Sequence, residues 1–148
     1  MPLVSADPTV AFVDGVKAIL SADATLTAMV TGIYGHVSEA ARTAYPYLVL
    51  GRRRSDSASG AMGVGGGFVQ LQIDGWSDAK GPYQITNIAS RVYVLLFRQA
   101  VSIGSFGLVS GSVDRDFQEV FDEPDEDQPE QRLYRLVQLW RSEIHETA

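Results

Sequence analysis

The chain has 148 residues, 45% of them hydrophobic, no cysteine, and a formal charge of −6 from 18 acidic and 12 basic side chains. That length predicts a single domain over 1–148, able to bury about two-thirds of its unfolded surface without a metal or a disulfide. A net acidic domain is a poor general binder of nucleic acid, because such affinity comes from Lys and Arg neutralising phosphates. No segment approaches the ~20 apolar residues of a membrane span, and Met1–Asp7 lacks the basic and apolar regions of a signal peptide. A soluble product made in the cytoplasm is expected.

Asp7-Pro8 reads as a helix N-cap followed by proline at the first helical position, where a lost N–H is not missed. Phe12, Val13, Val16, Ile19 and Leu20 then share one face, with Asp14, Lys17 and Ser21 opposite. Gly15 weakens this helix by roughly 1 kcal/mol relative to alanine, so packing must hold it. A shorter helical piece, Ala24 to Thr31, carries Leu26, Met29 and Val30 and stops at Gly32. Tyr45 to Gly51 is aromatic and branched and predicts a strand, with Pro46 near its start. Arg52, Arg53 and Arg54 followed by glycine-rich chain read as a flexible loop over 52–67. In the second strand, Phe68 to Ser77, Val69, Leu71 and Ile73 alternate with Gln70, Gln72 and Asp74, the period of a sheet with one buried face.

Gly81-Pro82 opens the next helix, whose stripe is Ile85, Ile88, Ala89, Val92, Leu95 and Leu96. Gly104, Gly107 and Gly111 punctuate a return to extended chain from Leu108 to Phe121. An acidic turn over 122–130 follows, bounded by Pro124 and Pro129, and Gln131 to His145 alternates as a long strand. One face of that strand carries Tyr134, Leu136, Trp140 and Ile144; the other carries Leu133, Val137 and Leu139 beside Arg135 and Arg141. Apolar groups on both faces predict cover on both sides along part of its length. The order helix, strand, strand, helix, strand, strand predicts an α+β fold, a mainly antiparallel four-stranded sheet with two helices packed on one face.

A search for chemistry finds no constellation. Gly60, Gly63, Gly65, Gly66 and Gly67 precede a strand, whereas a phosphate cradle needs a following helix N-terminus. The acidic run lacks the alternating ligands, central glycine and distal glutamate of a calcium loop. His36 and His145 have no partner at metal-ligand spacing, and Ser105, Ser110 and Ser112 sit in no Gly-x-Ser-x-Gly elbow. Trp76 and Trp140 fall on strands, where core or interface packing explains them. No catalytic residue, cofactor or metal site is read, so no enzymatic activity is expected; a small hydrolase or nucleotide-binding domain would need a site that the sequence does not offer.

Leu20-Ser21-Ala22-Asp23-Ala24 followed by Gly32-Ile33-Tyr34, then Ala44 to Gly51, Val69 to Ser77, the helix Ile85 to Leu96 and Arg132-Leu133-Tyr134-Arg135-Leu136 stand in a characteristic order. In these segments the chain resembles the tail terminator (tail-completion) proteins of long flexible-tailed bacteriophages and gene transfer agents. The resemblance implies a structural protein of the virion, a homo-hexameric ring at the head-proximal end of the tail, assembled in the host cytoplasm. Such a ring caps the last tier of tail tube protein, stops tube polymerisation and offers its other face to a neck or stopper protein. DNA passes through it without sequence-specific binding, and neither membrane, cofactor nor catalytic residue is implied. The alternatives are another head–tail connector component, a stopper or tail tube subunit, or an α+β domain of an unrelated assembly. A ring needs one patch that meets a different patch on the next copy. Arg52, Arg53 and Arg54 on one loop and Asp122, Glu123, Asp125, Glu126 and Asp127 on another are the candidate subunit or tube interface; an exposed sheet edge offers a second route by strand addition.

Overall fold

The apolar stripes of three helices decide which face of the sheet is buried. Helix α1 (Pro8–Ala22) buries Phe12, Val13, Val16 and Leu20, with Ile19 partly covered. Helix α2 (Ala24–Met29) is only six residues long, too short to persist on propensity alone. Its N-cap Asp23 accepts a hydrogen bond from the Leu26 N–H at 2.8 Å. The same carboxylate receives Arg91 of α3 (Tyr83–Leu96) through Nε at 2.8 Å and Nη2 at 2.7 Å, a two-pronged tie between the helices. Helix α3 buries Ile85, Ile88, Ala89, Val92 and Leu96. Its C-terminus is closed by Arg98 in the left-handed region at φ 59°.

The computed structural model describes residues 8–35, 44–57, 66–101, 108–124 and 132–146. Asp7, His36, Gly60, Gly63, Gly65, Gly104, Ser105, Gly107, Asp125, Glu126, Asp127 and Pro129 lie outside the described residues. Five strands follow in the order β1-β2-β3-β5-β4: β1 (Gly32–Tyr34), β2 (Tyr47–Ser57), β3 (Gly66–Ser77), β4 (Leu108–Pro124) and β5 (Arg132–Glu146). β1 lies parallel to β2, and the other pairs are antiparallel. The fold is α+β and its sheet mainly antiparallel, as the pattern predicts, but the sheet has five strands, one pair of them parallel, under three helices, not four strands under two. β1 escapes sequence reading because three residues cannot display a period of two. Its hold on β2 is completed by Tyr47, buried against the Tyr34 and Tyr45 rings at centroid distances of 6.2 and 5.6 Å.

The core lies between the helices and one face of β2, β3 and β5, built on Leu48, Leu50, Val69, Leu71, Ile73, Leu136 and Trp140. Ser77, Gln138 and Ser142 are the buried polar residues among those described, and Gln138 lies beside this core. The Gln138 Nε2 donates to the Ala89 carbonyl at 3.3 Å and to Gln118 Oε1 at 2.7 Å, while its Oε1 accepts from Trp140 Nε1 at 3.1 Å. Both ends of the amide are satisfied, so its burial is tolerated. At Gly75 the sheet meets α3 through Ile85, with little room for a side chain. A Cβ there would lie 2.9 Å from Ile85 Cδ1, 3.0 Å from Leu48 Cδ2 and 3.3 Å from Leu136 Cβ.

Two predictions follow from these contacts. Gly75→Ala is expected to destabilise by about 1–3 kcal/mol through overpacking, read as a Tm lower by several degrees in thermal unfolding. The second concerns Asp23, whose carboxyl is held down from 3.8 to about 2, chiefly by the Arg91 hydrogen bonds and also by the Leu26 N–H, against an opposing effect of burial. A depressed folded pKa contributes stability that is complete above pH about 4 and is lost as the pH falls through about 2. Arg91→Gln should return the Asp23 carboxyl toward 3.8 in an NMR titration and flatten the loss of stability between pH 4 and 2.

Candidate functional site

Beyond the layer of helices the sheet presents its other face, and the register settles which side chains occupy it. Phe68 stands opposite Glu143, Gln70 opposite Arg141, Gln72 opposite Leu139, Asp74 opposite Val137 and Trp76 opposite Arg135. On β4, Phe117, Glu119 and Phe121 continue the rows of Leu139, Val137 and Arg135. The apolar members are half-buried by their neighbours in the sheet, and Phe117 is 41% exposed. The cover expected on both sides of β5 is therefore present on one: Leu136 and Trp140 are buried, while Leu133, Val137 and Leu139 remain half-open.

Guanidinium groups organise this face. Arg135 lies over the Trp76 ring at 5.3 Å and reaches Asp74 Oδ1 with Nη2 at 3.4 Å. Gln72 Nε2 donates to the same carboxylate at 3.0 and 3.2 Å. One row further, Arg141 lies over Phe68 at 5.4 Å, with its Nε 3.7 Å from Asp116 Oδ1, and Gln70 Nε2 donates to Asp116 Oδ2 at 3.3 Å. Arg54, Phe68, Gln70, Asp116 and Arg141 line a shallow depression of about 210 Å³. Carboxylates already engaged by guanidinium and amide groups are not poised as general bases. Among the described residues, no group of three or more His, Cys, Asp or Glu could hold a metal ion, and no helix is long and apolar enough to cross a membrane.

Arg52, Arg53 and Arg54 do not lie in a loop. They continue β2 past a register irregularity between Leu50 and Arg53, all three exposed, and the strand runs on to Ser57; Gly66 and Gly67 likewise belong to β3. The sequence misleads here because Arg52, Arg53 and Arg54 are all exposed, so no hydrophobic period marks them, and backbone pairing with β3 keeps them extended. Asp122, Glu123 and Pro124 are not turn residues either but close β4, with Asp122 3.7 Å from Arg132. The basic and acidic groups stand at opposite corners. Arg54 pairs with Gln70, whereas Asp122 pairs with Tyr134, which pairs with Ser77, seven residues further along β3. That is about 24 Å along the strands and about 14 Å across them. They cannot meet within one copy.

Sequence reading did not single out Trp76, Arg135, Asp74, Phe68, Arg141 and Asp116 as a group. The available signal was Arg135 and Arg141 flanking Val137 and Leu139 on alternate positions of β5, arginines spaced to stack on aromatic residues of the next strand. Asp74→Ala should lower Tm by up to a few degrees, because a half-buried guanidinium loses its carboxylate. Asp122→Ala, at an exposed pair, should leave Tm within about 1 °C. Equal effects in a thermal melt would contradict this ranking.

A family profile described as "Tail completion protein gp17" matches residues 15–141. A chain in a solved structure described as "Virion of native gene transfer agent (GTA) particle" has a similar fold, with a TM-score of 0.78 at 22% identity, covering 95% of this chain and 99% of that chain. No curated protein matches by sequence.

Proposed function

The chain belongs to the family of tail completion protein gp17, and on that premise we propose that it is a structural protein of the virion tail that closes the tail at its head-proximal end. Copies of the chain form a ring, hexameric by resemblance to tail terminator proteins. The ring caps the last tier of tail tube protein, stops further polymerisation and receives a neck or stopper protein on its other side. The likeness of fold to a chain of a gene transfer agent virion supports placement in such a particle. It works by fitting its neighbours and performs no catalysis.

The observation that carries this reading is the separation of charge on one sheet. Arg52, Arg53 and Arg54 occupy one corner and Asp122 and Glu123 the opposite one, too far apart to meet within one copy, so the basic corner is left for a neighbouring molecule. A patch that meets a different patch generates a ring when the rotation closes. Asp125, Glu126 and Asp127 extend the acidic corner in sequence. A bore lined with part of the formal charge of −6 on each copy would repel phosphate and let DNA slide past without being gripped.

Native mass measurement of the purified protein, alone and with tail tubes, tests the proposal. A discrete closed oligomer seated at one end of each tube is expected. Incorporation along the length of the tube would make it a tube subunit instead, and a persistent monomer that never associates with tubes would overturn the reading.

A further inference from the structure

We infer that neighbouring copies join edge to edge, β2 of one copy taking β4 of the next into a continuous antiparallel sheet; this rests on the ring proposed above. Both edges are available among the described residues. β1 pairs only with Tyr47, Leu48 and Val49, so from Leu50 to Ser57 no described strand lies on that side of β2. On β4, Val113 exchanges hydrogen bonds with the segment after α3, donating to the Gln99 carbonyl and accepting from the Arg98 N–H. From Asp114 to Pro124 no described strand pairs with its outer side. Unpaired strand edges are templates for another strand.

The two edges are opposite in charge and level with each other. β2 offers Arg52, Arg53 and Arg54, while β4 offers Asp114, Asp116 and Glu119 with Arg115 among them. Through the register, Arg54 shares a row with Gln70, Arg141 and Asp114, and Arg53 shares one with Leu71, Trp140 and Arg115. Arg115 is turned onto the Tyr93 ring at 4.6 Å and donates to Gln118 at 2.7 Å, which leaves the flanking carboxylates to set the sign of that edge. A rotation axis running near the strand direction carries each row onto the same row of the next copy. Arg52–Arg54 then arrive at Asp114, beside the Asp116 carboxylate that Arg141 and Gln70 already hold, and a stagger of a few residues, as closed sheets require, keeps them between Asp114 and Glu119. Neither Arg52 nor Asp114 forms an ion pair with a described residue of its own copy.

Direction agrees as well. β2, β3, β5 and β4 alternate in sense, so β4 runs against β2, and rotation brings them together as an antiparallel ladder. The same charges forbid the competing pairings: β2 on β2 opposes arginines, and β4 on β4 opposes carboxylates, so closed two-fold dimers are disfavoured. The backbone ladder holds the copies together, and the charges choose the partner edge and the register.

Charge reversal on each edge tests this, with parent protein assayed first, alone and on tail tubes. R52E/R53E and D114R/E119R each are expected to keep the far-UV spectrum and Tm of the monomer while losing assembly at least tenfold. Mixed one to one, they should recover rings, since each variant's altered edge then faces the other's. Variants that assemble like the parent, or a mixture of folded variants that stays dispersed, would sink the edge pairing while leaving the ring intact; a parent that forms no ring sinks the proposed function itself. Hydrogen exchange on the parent gives a reading independent of any variant. Outward amides within Leu50–Ser57 and Asp114–Pro124 should become protected on assembly, and amides that stay fast in the assembled ring overturn the inference.

Discussion

The structure depends on how closely α3 lies upon the β3–β5 pair. Gly75 leaves that space, and Ile85, Leu48 and Leu136 fill it. With the helix this near, Ala89 comes within reach of Gln138, whose amide then satisfies both the helix carbonyl and the Trp140 indole. The burial of a polar side chain in the middle of the sheet is therefore a consequence of the glycine two strand positions along on the neighbouring strand, since Gln138 pairs with Ile73. Because α1 and α3 concentrate apolar burial on this side, the opposite face is released from being a core. It can be built instead from arginines stacked on Trp76 and Phe68.

How much of this was legible depended on whether burial imposed a period. The α3 stripe and the alternation from Val69 to Ile73 were both read correctly, because every buried position there is apolar and every second or third-to-fourth residue repeats it. Tertiary context wrote the remainder. α2 was legible as a short helical piece from Ala24, but the groups that tie it down, Asp23 and Arg91, are 68 residues apart, and β1 is held by three residues that pair with β2. No window of neighbouring residues contains such information. The outer half of β2 failed for a different reason: Arg52, Arg53 and Arg54 are all exposed and show no hydrophobic period, and their extended backbone is dictated by the ladder to β3.

The candidate interface shows the same division. The charges at Arg52–Arg54 and Asp122–Glu123 were visible in the sequence, but their positions were not, since two loops of opposite sign suggest a simple pair. Placing them on strands separates them by nearly the length of the sheet. It also brings Asp114 and Asp116, which looked like ordinary polar strand residues, to the level of the arginines. Register, rather than composition, thus decides which charges are at equal height.

Charged residues on a sheet edge ordinarily keep proteins apart, because an incoming strand must bring its backbone against them. On this chain the two edges carry opposite signs, which changes the meaning of the same device. Each edge still rejects a copy of itself, but admits the other edge of an identical chain. Exposed pairs contribute about 0–1 kcal/mol each, too little to assemble a ring by themselves, yet enough when repeated to favour one orientation over its reverse. The acidic corner at Asp122 and Glu123 lies beyond the rows used in this way. In the proposed ring it therefore projects along the axis, away from the sideways contacts, toward whichever neighbour stacks above or below. Lateral closure and axial docking would then draw on different charges of one sheet, and each could change without disturbing the other.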